Sequence, residues 1–268
     1  MADIVYADTH THLSDDSFDN DRQFVISSCA GLNIKIFFEV LCAPLDWDRD
    51  VLFSSYADNF YFAYGIHPEY ASQSAIADLS KLELKLKGKK SIFIGEIGLD
   101  YYWVNDNKEK QKELLLSQLA LSEKLFMPCV FHCRNGKEPS DNAYEDLLDL
   151  LEKNWKYSKS SGKRGVLHSF SGTQKDAVRA IELGLFLGVN GTFTYPKNGY
   201  LREIVKKAGI ENIVLETDCP YLPLQSSRGK RNTPLSIPEI SAEIASFCSL
   251  SPTKTAETLY DNSISFIK

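Results

Sequence analysis

The chain has 268 residues, 43% hydrophobic and 25% charged, with a formal net charge of −6. That is apolar material for a full core and charge for a soluble surface, which excludes a disordered or collagen-like chain. The negative balance argues against a protein that coats long duplexes through a broad basic face, yet allows an enzyme that grips one phosphate with metal ions and a few local cations.

The opening residues, MADIVYADTH, contain no basic region and no long apolar segment, so no secretory signal is expected. No run approaches the roughly 18 apolar residues that a membrane span needs. Six cysteines are scattered without C-x-x-C spacing and read as reduced, mostly buried thiols, which points to the cytoplasm. No obligate protein partner is evident.

Eight short segments rich in β-branched and aromatic residues predict strands: DIVYAD (3–8), IKIFFEV (34–40), FYFAYGI (60–66), SIFIGEI (91–97), PCVFH (128–132), GVLHS (165–169), LFLGVN (185–190) and NIVLETD (212–218). The stretches between them are helix-like. The clearest is NKEKQKELLLSQLALSEKLF (107–126), whose leucines recur at three- and four-residue spacing. Strands that look buried on both faces, at near-uniform intervals, predict repeated βα units and a parallel sheet. Eight such units in this length favour an α/β fold of the closed (β/α)8 TIM-barrel type over an open doubly wound sheet, and no G-x-G-x-x-G follows the first strand.

After the eighth strand, QSSRGKRNTP (225–234) is the most loop-like stretch. SIPEISAEIASFCSL and SPTKTAETLYDNSISFI then read as terminal helices with Ser-x-Pro and Ser-Pro starts, the last an extra C-terminal helix. No linker interrupts residues 1–268, so a single domain is expected.

In such a barrel the chemistry gathers where strands end and the βα loops begin. His10 and His12 follow the first strand, His67 the third. Glu96 ends the fourth, His132 the fifth, His168 the sixth and Asp218 the eighth. All five histidines therefore fall at one predicted rim. Strand alternation sends His10 and His12 the same way, aligns Glu96 with Ile92 and Ile94, and aligns Asp218 with Val214 and Glu216. A carboxylate on an interior apolar face is costly unless a cation or donor meets it.

Each feature alone has an ordinary explanation: an incidental H-x-H, a hydrogen-bonded core histidine, a helix-capping Glu96, a turn-forming Asp218. All four would have to hold at one rim. Imidazole and carboxylate together suit divalent ions such as Zn²⁺, Mn²⁺ or Mg²⁺. Four histidines and two acids exceed one tetrahedral ion and divide between two, about 3.5–4 Å apart, bridged by a carboxylate and water or hydroxide.

The motifs DTHTHL, GIHP, IGEIGLDYY, FHCRN, LHSFSGT, LETDCPYL and RGKRNTP, in order from residue 8 to residue 234, resemble the TatD family of metal-dependent deoxyribonucleases, within the amidohydrolase-like superfamily. The resemblance implies a TIM barrel that binds two divalent ions and hydrolyses DNA, at single strands or 3′ ends, often as a 3′-to-5′ exonuclease. Carried over by motif, His10, His12 and Asp218 would hold one ion, and His132 and His168 the other, with Glu96 bridging. His67 would face the scissile phosphate. Metal-bound hydroxide would attack phosphorus, with Asp218 orienting or deprotonating it and Glu216 either supporting Asp218 or serving the interior. Two positions depart from the family pattern: Thr11, where cysteine is frequent, and Thr233, where an acid is common.

Arg134, Arg228, Lys230 and Arg231 fall on predicted rim loops and could contact non-scissile phosphates, or simply form a solvated charged loop. Tyr101, Tyr102 and Trp103 could stack on an end base, or pack against the rim. One rival reading is a small-molecule amidohydrolase or deaminase on the same barrel. Many such sites bridge their ions with a modified lysine from the fourth strand, which here offers Glu96 and no lysine. The other rival is a non-catalytic scaffold, which predicts eroded ligands; none of the six is missing.

Overall fold

The computed structural model describes residues 4–56, 58–74, 76–103, 107–156 and 162–267. Asp3, at the start of the first predicted strand, lies outside them. The eight apolar segments form strands β1 (Tyr6–Thr11), β2 (Ile34–Leu41), β3 (Phe60–Tyr64), β4 (Ser91–Asp100), β5 (Cys129–Arg134), β6 (Gly165–Leu167), β7 (Leu185–Val189) and β8 (Ile213–Leu215). They belong to one sheet in the order β1 to β8. The pairs β1–β2, β3–β4, β4–β5, β5–β6 and β7–β8 are parallel. Parallel strands in sequence order, joined by crossovers, make the (β/α)8 TIM-barrel fold. Strands β6, β7 and β8 are buried at every position, which explains why they read as continuous apolar runs rather than alternating ones.

The helices are α1 (Arg22–Ala30), α2 (Ile76–Leu86), α3 (Lys108–Leu125), α4 (Ala143–Asn154), α5 (Gln174–Glu182), α6 (Gly199–Ala208), α7 (Ile237–Cys248) and α8 (Pro252–Ile264). Local chemistry starts several of them. Thr173 and Asp176 exchange capping bonds at α5, and Asn142 accepts from the Glu145 N–H at α4. Between β2 and β3 the crossover is not an α-helix but a ten-residue 3-10 segment, Trp47–Tyr56. Helix α8 is the extra C-terminal element, packed on α7, β1 and β8.

The chain divides into two compact units, one of Met1–Glu39, Leu52–Tyr61 and Leu187–Lys268, the other of Val40–Val51 and Phe62–Phe186. In the first, Phe60 stacks between Phe37 and Phe53, at 4.9 and 4.4 Å between ring centroids. In the second, Phe131 meets Trp155 edge-on, and the Arg164 guanidinium lies 4.0 Å from the centre of the same indole. None of the described helices is long and apolar enough to cross a membrane.

Three strand limits bear on the site. Strand β1 begins and ends later than predicted, so His10 lies within it and His12 just beyond. Strand β4 runs on to Asp100, and its pairing with β5 slips between Gly95 and Ile97. That bulge interrupts the expected alternation through Ile92 and Ile94 and re-aims Glu96. Strand β8 stops at Leu215, so alternation does not set the direction of Asp218 either.

Candidate metal centre

In the first unit the DTHTHL segment is pinned from both sides. Asp8 is fully buried and accepts from the Thr217 hydroxyl at 2.6 Å, the Thr217 N–H at 2.9 Å and the His10 N–H at 3.3 Å. Burial pushes its carboxyl up to about 8, against those bonds. Glu39, at the end of β2, is also fully buried. It accepts from the Thr11 hydroxyl at 2.7 Å and from the N–H groups of Leu13 and Ser14 at 2.9 and 2.7 Å. These two acids fix the backbone on either side of His10 and His12.

Asp218 is brought to those histidines by the segment after β8. Its N–H donates to the His10 carbonyl at 3.0 Å, and the His12 N–H donates to the Cys219 carbonyl at 2.9 Å. Its φ of 55° is left-handed, a conformation costly for most side chains and tolerated best by Asn and Asp. The neighbours hold it there. Buried Asn232, in the RGKRNTP loop, donates to the carbonyls of Thr217 and Leu222 at 2.9 and 3.3 Å. The result is a three-donor set. His10 Nε2 and His12 Nε2 are 3.3 Å apart, and Asp218 Oδ1 lies 3.9 and 3.5 Å from them.

In the second unit three imidazoles converge on one carboxylate oxygen. Glu96 Oε1 lies 2.9 Å from His132 Nδ1, 3.7 Å from His168 Nε2 and 3.9 Å from His67 Nε2. The other nitrogen of His132, Nε2, is 2.9 Å from Asp100 Oδ2. Burial alone would lower the His132 pKa, but its bonds to Asp100 and Glu96 outweigh burial and raise it to about 9. Burial likewise acts to raise Asp100, yet bonds from His132, Trp103 and Tyr102 hold its carboxyl below the usual range. At Gly98 an added Cβ would sit 1.9 Å from the His132 carbonyl oxygen, and φ is +145°, so only glycine lets β4 lie this close to the histidine.

Helix α3 aligns this unit's donors through two buried glutamines seven residues apart, hence on one face. Gln111 accepts from the Asp100 N–H at 2.8 Å and donates to the Asp100 carbonyl at 2.9 Å. Gln118 does the same to Ile66, at 2.8 and 3.0 Å, just before His67. The Glu69 N–H donates to His67 Nδ1 at 3.3 Å, which leaves the ring proton on Nε2.

The donor sets fit divalent ions. His10, His12 and Asp218 offer ligand atoms all within 4.8 Å of one another, as do His67, Glu96 and His132. Ligands about 2.1 Å from a tetrahedral ion are about 3.4 Å apart, close to the spacings seen. Imidazole nitrogens this near one another are stabilised by a cation among them. His67 differs in tautomer, presenting an N–H rather than a lone pair toward Glu96.

The predicted substrate residues are placed unequally. Arg231 is held by Asp21 through two bonds of 3.0 and 2.6 Å, and its guanidinium lies 4.3 Å from the Phe18 ring centre. Arg228 lies over the Tyr195 ring, 4.9 Å from its centre. Tyr101 corrects the stacking expectation: it is 1% exposed, its hydroxyl donates to Asp146 at 2.7 Å, and its ring faces Lys108, so neither face meets an incoming base. Trp103 is 64% exposed, and Arg134 is exposed beside it. Asp8, Glu39, Asp100, Asn232 and the two glutamines are the site-forming residues that the motif pattern did not single out. An acid inside an apolar strand, as in IKIFFEV, was the one available signal.

Residues 7–268 match the family model described as TatD related DNase. The chain is 29% identical over 238 residues to the uncharacterized metal-dependent hydrolase YabD of Bacillus subtilis (strain 168), which covers 89% of each chain. It is similar to the crystal structure of YjjV, a TatD homologue from Escherichia coli K12, with a TM-score of 0.88, 26% identity and 97% of each chain covered. A TatD family hydrolase from Entamoeba histolytica shares the fold, with a TM-score of 0.83 at 22% identity over 97% of each chain.

Proposed function

From a chain that belongs to the TatD related DNase family, and is a metal-dependent hydrolase by that membership, we infer a finer activity: hydrolysis of phosphodiester bonds in DNA, at single strands or 3′ ends, as a 3′-to-5′ exonuclease. The donor sets carry this reading, with His10, His12 and Asp218 in one and Glu96 gathering three imidazoles in the other. We assign one divalent ion, Mg²⁺, Mn²⁺ or Zn²⁺, to His10, His12 and Asp218, and one to Glu96, His132 and His168, with His67 left to meet the substrate. The family match from residue 7 to residue 268 supports treating the chain as one catalytic domain. Six free cysteines suit a reducing cytoplasm.

Bound divalent ions supply Lewis-acid polarisation of the phosphoryl oxygens and acidify water. The protein's part is positional. Asp218, held in its left-handed conformation, orients the attacking water and accepts its proton. His67 donates its Nε2–H to a non-bridging phosphate oxygen. Glu96 keeps His132 and His168 in register.

The test is cleavage of end-labelled single-stranded and duplex DNA by chelated protein resupplied with Mg²⁺, Mn²⁺ or Zn²⁺. Restored cleavage, with label released first from the 3′ end, is expected, and Asp218→Asn should abolish turnover while the fold persists. No phosphodiester cleavage with any ion, together with turnover of cyclic amides or nucleosides, would make the protein a small-molecule amidohydrolase instead.

A further inference from the structure

We propose that Tyr102, Trp103, Arg134 and Lys137 form a docking platform for one unpaired nucleotide, the rings taking the base and the cations its phosphate. The proposal rests on the DNA-cleaving reading and adds how the substrate's terminal nucleotide is gripped.

The four side chains form one cluster. Arg134 places its guanidinium 4.2 Å from the Tyr102 ring centre and 5.3 Å from that of Trp103, and the Lys137 ammonium lies 5.1 Å from Tyr102. The two rings meet edge-on at 4.9 Å. Among the described residues no side-chain hydrogen bond or ion pair engages either cation, whereas Arg231 is committed to Asp21. Guanidinium N–H groups parked on aromatic faces remain able to take phosphate bidentately. In a chain of net charge −6, two cations set on two aromatic rings suit a ligand that is both anionic and flat.

The platform is built rather than incidental. Beneath it, buried Tyr101 donates its N–H to the Arg134 carbonyl at 3.0 Å. Gly136 lets the 134–137 loop lie close: a Cβ there would come within 2.4 Å of Asp141 Cβ and 2.8 Å of the Tyr101 carbonyl oxygen. Asp100 ties the platform to the candidate metal ligands. Its Oδ1 accepts from the N–H groups of Tyr102 and Trp103, each at 2.8 Å, while Oδ2 faces His132. Arg134 follows His132 by two residues on β5 and so leaves the strand on the same face, about 6–7 Å further along.

The experiment is a cycle between protein and substrate. Single-stranded DNA carrying either a normal or an abasic 3′-terminal nucleotide is given to the wild type, Trp103→Ala and Trp103→Phe. Both KM in cleavage and Kd in chelator, from the anisotropy of a labelled strand, are measured. Removing the base should cost the wild type about fivefold to a hundredfold in both quantities. Trp103→Ala should erase that penalty, and Trp103→Phe should restore most of it. Arg134→Gln should weaken both strands alike and lower the salt slope by about 0.7. Cleavage with equal affinity for normal and abasic strands in the wild type, or a penalty that survives Trp103→Ala, overturns the platform and leaves the nuclease reading intact. Base-dependent binding without cleavage under any metal does the reverse.

Discussion

Asp100 Oδ2 lies 2.9 Å from His132 Nε2 while the opposite nitrogen of that ring faces Glu96 Oε1, also at 2.9 Å. A carboxylate behind a histidine that takes up a metal ion fixes the ring orientation and holds a proton on Nε2, so that Nδ1 would be the nitrogen that gives up its proton to an ion. In Asp100→Asn the amide oxygen can still accept from the 102–103 backbone, but its NH2 then faces Nε2 and favours the wrong tautomer. Metal affinity at the His132 set should fall about 10- to 100-fold. Calorimetric titration of the chelated protein measures this; an unchanged affinity would confine Asp100 to holding the loop.

The same pair sets a pH dependence. With its pKa raised to about 9 from the ordinary histidine value of 6.5, His132 stabilises the chelated fold fully below about pH 6.5, and that stabilisation is lost as pH rises through 9. Metal must displace the proton, so apparent affinity should strengthen with pH up to about 9, by as much as tenfold per unit for one proton. Chelated and metal-loaded proteins should therefore diverge in Tm most at alkaline pH. A gap that stays constant from pH 6 to 10 would contradict this.

Much of this architecture is legible in the chain because burial writes it locally. Apolar runs such as LFLGVN mark strands covered on both faces, and His12 and His168 directly follow the ends of β1 and β6. What stayed hidden depends on partners far away in sequence. Glu39 is defined by Thr11, Gln118 by Ile66, and Asn232 by Thr217, none of which periodicity can pair. The bulge at Glu96 defeats strict alternation, and the left-handed Asp218 stands beyond its strand. Tyr101 shows the converse error. Its motif is real, but the ring serves packing and its neighbour Trp103 meets solvent.

Thr11, one of the two departures from the family pattern, has a task that tests locally. Its hydroxyl is one of three donors to the fully buried Glu39, whose pKa burial raises against bonds from Thr11 and Ser14 and the charge of His12. Thr11→Val keeps the shape and removes the donor, so about 1–3 kcal/mol of stability should be lost. Thr11→Ser should keep most of it. Urea unfolding of the two variants gives the comparison, and equal stabilities would mean that the two backbone donors suffice for Glu39.

Gln118 offers the sharpest test of how the fold sets the chemistry. It lies on α3, fully buried, and closes a two-bond clasp on Ile66, one residue before His67. Gln118→Met fills nearly the same volume but leaves the Ile66 N–H and C=O without side-chain partners, at a cost of about 2–4 kcal/mol. The larger effect should be on turnover. His67 is held by its own backbone bond to Cys42 and by this clasp, and a displacement of about 1 Å at a positioned group can cost 10²-fold. The expected signature is a fall in kcat on DNA with little change in KM, beside near-normal metal content, because His67 presents a proton rather than a lone pair. Loss of metal together with kcat would instead make His67 a ligand.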